Sequence, residues 1–212
     1  MKGVFMSEEE LRQEMVSLGA SFYARGYAVG GAGNLSARLP DGNILTTPTN
    51  SCLGRLDAER LSKVTMDGCL ISGEPMSKEA PFHLELYRQR TDCNAVVHLH
   101  STYLTALSCR EDIDASDVIR PFTPYYVMRV GRMPLLPYHR PGSPKIADEL
   151  SRRAHESDAF LLANHGPVVL GRSLIDAVNN MEELEETARL IFVLGKAPVR
   201  YLSEEEIAEL RK

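Results

Sequence analysis

Only four cysteines occur among the 212 residues, Cys52, Cys69, Cys93 and Cys109, and no two are spaced as a CxxC pair. Neither a cysteine metal site nor a dithiol redox motif is therefore expected, and each thiol reads as a small buried hydrophobe. No apolar run approaches the ~20 residues that a membrane-spanning helix needs. The first residues also lack the apolar core of a signal peptide, so a cytoplasmic protein with reduced thiols is expected. Basic residues number 24 against 29 acidic ones, a formal net charge of -5, with no dense Lys/Arg block. That balance argues against general nucleic-acid binding, while a few local cations or N–H groups would still suffice for a small anion. No internal repeat or low-complexity tract is present. A composition of 43% hydrophobic and 25% charged residues fits one globular domain over residues 1–212.

What the sequence does contain is a regular succession of short elements. Ser7 with Glu10 forms a capping box, and Leu11, Met15, Leu18 and Phe22 follow at helical spacing, predicting a helix from Ser7 to Arg25. Gly26 ends it. A glycine-rich stretch, Gly30 to Gly33, leads into a strand over Leu35 to Leu39, and Asp41-Gly42 reads as the turn to a second strand over Asn43 to Thr47. Leu61 to Ile71 reads as strand with a turn at Asp67-Gly68, Pro81 to Arg90 as helix, Ala95 to His100 as a buried strand, and Thr102 to Cys109 as helix. Six prolines between Arg120 and Lys145 favour short strands and ordered loops over helix. Ser143-Pro144 then opens a helix to about His155. Ala159 to Ala163 and Val168 to Leu170 read as an antiparallel pair around the turn Asn164-His165-Gly166-Pro167. A long helix over Ser173 to Leu194 carries an acidic run, Glu182, Glu183, Glu185 and Glu186, that reads as a solvated face. Ser203 and Glu206 cap a last short helix. The expected fold class is α/β, a layered α/β/α sandwich with a predominantly antiparallel central sheet.

His98-Leu99-His100 is the most telling motif. Residues two apart on a strand share a face, so the two imidazoles would stand side by side, as metal ligands or as a partly buried, hydrogen-bonded pair. His165, in a turn flanked by glycine, is the best third ligand. Glu79 could supply a carboxylate, or could simply be an acid placed favourably at a helix start. His83, His139 and His155 match no motif and read as structural or solvated.

Gly33-Asn34-Leu35-Ser36, Thr47-Pro48-Thr49-Asn50, Ser77-Lys78-Glu79, Asn94 to His100 and Ala163-Asn164-His165-Gly166 occur in the order and spacing of the class II aldolase/adducin head family. The chain resembles that family from about residue 8 to 207. The resemblance implies a class II aldolase-like fold and a Zn2+ ion, or another divalent transition metal, held by His98, His100 and His165. It also implies Glu79 as acid/base and as a ligand when substrate is absent. Asn34, Thr49, Asn50, Ser77 and Lys78 map to the family's phosphate cradle. Two of these depart from the aldolase pattern, in which glycine commonly stands at Asn50 and serine at Lys78. Tyr125, or its neighbour Tyr126, maps to a proton-donating tyrosine that reaches into a neighbouring subunit's site. A homotetramer with sites at subunit interfaces is implied.

The segment Thr49 to Asp57 with Ser77-Lys78-Glu79 further resembles a bacterial branch of the family that decarboxylates 3-oxo-tetronate 4-phosphate in four-carbon acid sugar catabolism. The implied reaction is zinc-dependent release of CO2 to leave dihydroxyacetone phosphate through an enediolate. A sugar-phosphate aldolase or 4-epimerase is the alternative within enzymes, and a non-catalytic adducin-like interaction domain the alternative outside them. The implied partner is a small phosphorylated sugar or sugar acid, with no nucleic acid and no membrane.

Overall fold

Side-chain alternation along one central strand sorts the molecule into layers. The computed structural model describes residues 6–212. The chain runs through α1 (Glu8–Ala24), β1 (Asn34–Arg38), β2 (Ile44–Thr46), β3 (Ser62–Val64), β4 (Leu70–Ser72), α2 (Ala80–Gln89) and β5 (Ala95–His98). It continues through α3 (Thr102–Ser108), α4 (Pro124–Arg129), β6 (Leu135–Leu136), α5 (Pro144–Arg153), β7 (Ala159–Leu162), β8 (Gly166–Gly171), α6 (Leu174–Leu194) and α7 (Glu204–Leu210). The strands form one sheet in the order β4-β3-β2-β1-β5-β8-β7-β6. Every pairing is antiparallel except that of β6 with β7.

On β5, Ala95 and Val97 point into a core built with α1, α3, α4 and α6, whereas Val96 points into a second core built with α2 and α5. β7 and β8 alternate in the same way, Leu161 and Val169 on the first side and Phe160, Val168 and Leu170 on the second. Burial on both faces makes these strands continuous apolar runs and produces the α/β/α layering expected for this fold class.

Local signals explain most element boundaries. Ser7 and Glu10 form the reciprocal capping box of α1, and Ser203 and Glu206 that of α7. Ser143 caps α5 with Pro144 at its first position. Asp41 Oδ1 accepts from the Asn43 N–H at 2.9 Å in the turn between β1 and β2.

Four expectations need correction. The proline-rich stretch contains helix α4, with Pro124 at its first turn, where a missing N–H costs nothing. Tyr125 and Tyr126 are therefore neighbours on a helix. Glu185 does not belong to a solvated face: it is 3% exposed. Of the cysteines only Cys93 is buried, with Cys52 half-buried and Cys69 and Cys109 exposed. Finally, β5 ends at His98, so His100 lies beyond the ladder. Among the described residues no helix is long and apolar enough to cross a membrane.

Candidate metal centre and anion cleft

Sheet register brings the site together. Asn34 on β1 is paired with His98 on β5, and β8, beginning at Gly166, lies on the other side of β5. His98 and Asn34 face the α2 layer, where the Phe82 ring meets the His98 imidazole edge to face at 5.5 Å. Glu79 is the residue at which α2 begins, so the helix start sets its carboxylate over the end of β5. One ligand atom each from Glu79, His98, His100 and His165 fall within 4.8 Å of one another. The three ring centroids form a near-equilateral triangle with sides of 5.0, 4.8 and 4.7 Å.

The hydrogen-bond pattern shows what the cluster needs. His98 Nδ1 lies 2.7 Å from the Pro167 carbonyl, which can only accept, so Nδ1 carries the proton and neutral His98 presents a lone pair on Nε2. That Nε2 lies 3.2 Å from His100 Nε2 and 3.4 Å from Glu79 Oε2. Glu79 Oε1 lies 3.3 Å from His165 Nε2 without an aligned hydrogen bond, and both atoms are buried and unpartnered. Buried ring nitrogens converging on a carboxylate whose Oε1 has no donor are unfavourable unless a cation joins them. Three imidazoles and one carboxylate are a donor set that fits a divalent transition metal.

Electrostatics agree with a cation-seeking site. Burial raises the Glu79 carboxyl, but the imidazoles of His165 and His98 lower it further, leaving it well below the usual carboxylate range. Burial pushes His100 down to about 4, helped by His98 and His165 and opposed by Glu79. Both groups thus favour the unprotonated form that a metal ligand requires.

Asn34 is bonded within the cluster. Its Nδ2 donates to Glu79 Oε2 at 2.8 Å, and its Oδ1 is a buried acceptor without a donor. The amide therefore holds the Glu79 carboxylate, while Asn34 still lines the adjoining cleft. Thr49, Asn50, Ser77 and Lys78 do line one cleft of about 330 Å³ together with Asn34, Glu79 and His100. The backbones of its two walls are stitched by Ser77 N–H to Thr47 O at 3.2 Å and Thr49 N–H to Pro75 O at 2.9 Å. Among the described residues, the backbone N–H groups of Asn50 and Lys78 have no partner in the chain and remain as donors for an anion. Asn50 has φ +57°, in the left-handed region. That conformation explains why asparagine can stand where the aldolases have glycine.

The cleft also includes Gly31, Gly33, Ser51, Pro141 and Gly142, which sequence reasoning did not single out as site residues. Ser51 sits inside a quoted motif, whereas Pro141-Gly142 offered only a turn signal far along the chain from Ser77-Lys78-Glu79. Tyr125 is 61% exposed on α4 and is not part of this cleft. Tyr126 is fully buried and donates to Asp117 Oδ1 at 2.8 Å. Burial, then the Asp117 charge, push its hydroxyl above the ordinary tyrosine range. Of the uncommitted histidines, His83 is buried and hydrogen-bonds with Ser36 Oγ at 2.7 Å, which in turn meets Tyr87 OH at 2.8 Å.

Fold and cluster together define a class: a predominantly antiparallel α/β/α protein with a nitrogen-rich metal centre at its strand ends. The chain belongs to the Class II Aldolase and Adducin N-terminal domain family, which it matches over residues 13–192. It is 64% identical over 204 residues, 96% of each chain, to the 3-oxo-tetronate 4-phosphate decarboxylase of Escherichia coli O6:H1. It is 37% identical over 180 residues, 84% of this chain and 94% of the other, to the L-fuculose phosphate aldolase of Methanocaldococcus jannaschii. The crystal structure of YgbL from Klebsiella pneumoniae, described as an aldolase/epimerase/decarboxylase, superposes with a TM-score of 0.95 at 60% identity, covering 97% of this chain and all of that one.

Proposed function

We propose that the chain is a metal-dependent lyase that decarboxylates 3-oxo-tetronate 4-phosphate, with Glu79, His98, His100 and His165 holding a Zn2+ ion. The observation that carries the reading is the juxtaposition of this cluster with a cleft presenting Thr49, Asn50, Ser77 and Lys78. Near-full-length identity of 64% to a decarboxylase, against 37% to an aldolase, favours CO2 as the leaving group.

The substrate carries a carboxylate on C2, a ketone at C3 and a phosphate on C4. Decarboxylation breaks the C1–C2 bond, leaves its electron pair on C2, and requires one proton there; the remaining three-carbon product is dihydroxyacetone phosphate. When bound, the cation supplies Lewis acidity beside the substrate oxygens and so stabilises that electron pair. The chain's own residues do the rest. Free N–H groups at Asn50 and Lys78, the hydroxyls of Thr49 and Ser77, and the Lys78 ammonium bind the phosphate and fix the reacting end at the cluster. Glu79, oriented by Asn34, sits among the imidazoles as the acid/base that serves C2. Tyr125, exposed and outside its own chain's cleft, is the alternative donor of that one proton, and only in a site completed by another copy, in keeping with a homotetramer having interfacial sites. Tyr126, locked on Asp117, serves packing.

This reading places one catalytic domain in the cytoplasm, with a small phosphorylated acid as its partner and neither nucleic acid nor membrane. A non-catalytic adducin-like role would have no use for a buried cluster of lone pairs. The test is a panel of phosphorylated four- and five-carbon acids and sugars, scored for CO2, aldehyde and epimer with zinc present. CO2 from 3-oxo-tetronate 4-phosphate is expected. Aldehyde from a sugar phosphate without CO2 would make the chain an aldolase instead.

A further inference from the structure

Helix α3 begins two residues after His100, and its first turn is capped from a distant part of the chain. Ser101 occupies the N-cap, yet its hydroxyl makes no capping bond to α3. It donates instead to Glu185 Oε2 at 2.7 Å. Glu185, on α6, takes over the cap: Oε1 accepts the Tyr103 N–H at 2.8 Å and Oε2 the Leu104 N–H at 2.9 Å. A carboxylate 3% exposed would be costly in an apolar layer, and three donors offset that cost. Two of the N–H groups that a helix start leaves without partners are thereby satisfied.

The same short helix also holds the other histidine segment. Thr105 Oγ1 donates to the His165 carbonyl at 3.3 Å, and the Asn164 N–H donates to the Ser108 carbonyl at 3.0 Å. His100 is thus tied to the N-terminus of α3 through Ser101, and His165 is tied to its body. Moving α3 against α6 would move His100 and pull on the His165 turn relative to His98, which the β5–β8 ladder and the bond to Pro167 hold in place.

We infer that Glu185 is the positioning residue of the metal centre, anchoring α3 to α6 so that His100 and His165 converge on His98. The inference rests on the metal-centre reading above. Groups that orient metal ligands without touching the ion commonly change metal affinity about 10–100-fold when removed.

The test is Co2+ titration of the metal-stripped full-length protein, followed by its visible absorption, in wild type, Glu185→Gln, Ser101→Ala and Glu186→Gln. Glu186 is an exposed acid on the same helix and serves as the control. Glutamine keeps the volume of Glu185 but leaves a donor facing a donor. Glu185→Gln is expected to raise the Co2+ dissociation constant about tenfold or more and to alter the absorption bands, with Glu186→Gln unchanged. Ser101→Ala, which keeps the carboxylate and both backbone bonds, shifts affinity in the same direction by less and covers the case in which Glu185→Gln does not fold. Folded variants that bind Co2+ with wild-type affinity and spectrum would reduce Glu185 to a helix cap and overturn the inference. Wild-type protein that takes up no Co2+ would instead overturn the metal-centre reading itself.

Discussion

Asn34 Nδ2 donates to Glu79 Oε2 at 2.8 Å, joining the first residue of β1 to the residue at which α2 begins. A hydrogen bond to a charged group contributes about 1.5–3 kcal/mol, enough to hold the carboxylate in one orientation. If Glu79 is the acid/base proposed above and the amide serves to orient it, Asn34→Ala is expected to lower kcat about tenfold or more with little change in KM. Steady-state kinetics decide it: a raised KM with kcat preserved would return Asn34 to the phosphate end.

The adjacent tyrosines separate stability from turnover. Tyr126→Phe leaves the half-buried Asp117 with one donor fewer and should destabilise the fold by about 1–3 kcal/mol in urea unfolding. Tyr125→Phe, on an exposed side chain, should leave stability unchanged and lower kcat where a second copy completes the site. Equal unfolding midpoints for the two variants would contradict this division.

Gly166 follows His165 at φ +153°, and a Cβ there would come within 2.3 Å of the Leu99 carbonyl oxygen. The obstacle is backbone, so Gly166→Ala must displace the strand junction that carries His165 or the segment between His98 and His100. The variant is expected to lose stability and to bind zinc more weakly, measured by melting with and without metal. A melting curve and zinc affinity matching wild type would show that the junction can relax without cost.

Acid sensitivity follows from the buried His83. Burial first, and then His98, lower its pKa from the ordinary 6.5 to about 3, with Glu79 partly opposing. Between those values the unfolded chain binds the proton and the folded chain does not, so stability is complete above about pH 6.5 and declines as pH falls toward 3. His100, lowered to about 4, acts in the same direction over a narrower window in the metal-free protein. In metal-free protein, His83→Gln should flatten the pH dependence of the urea midpoint over this range; an unchanged slope would remove His83 from the acid response.

Much of this was legible in particular residues. The Ser7/Glu10 box, the Asp41-Gly42 turn and the His98-Leu99-His100 pattern depend on local chemistry, and each appears where its spacing placed it, although β5 stops one turn of the pleat early. Convergence of Glu79 and His165 on that pair came from the resemblance, since nothing local fixes which strands become neighbours. Helix α4 was missed because the prolines were counted together; Thr123-Pro124 alone has the form of a helix start. Glu185 reads as solvated only through the company of its acidic neighbours. Its spacing from Met181 and Ala188 places it on the buried face of α6, but its partner, the start of α3, is visible only in three dimensions.

CO2 release measured against metal content tests the metal-centred decarboxylation most directly. Purified protein loaded with zinc should convert 3-oxo-tetronate 4-phosphate to equal amounts of CO2 and dihydroxyacetone phosphate, lose that activity on chelation, and regain it when zinc is restored; Glu79→Gln should retain most of its zinc and turn over no substrate. Full-rate CO2 release from protein shown to be metal-free, or none from the zinc-loaded protein, would contradict the account.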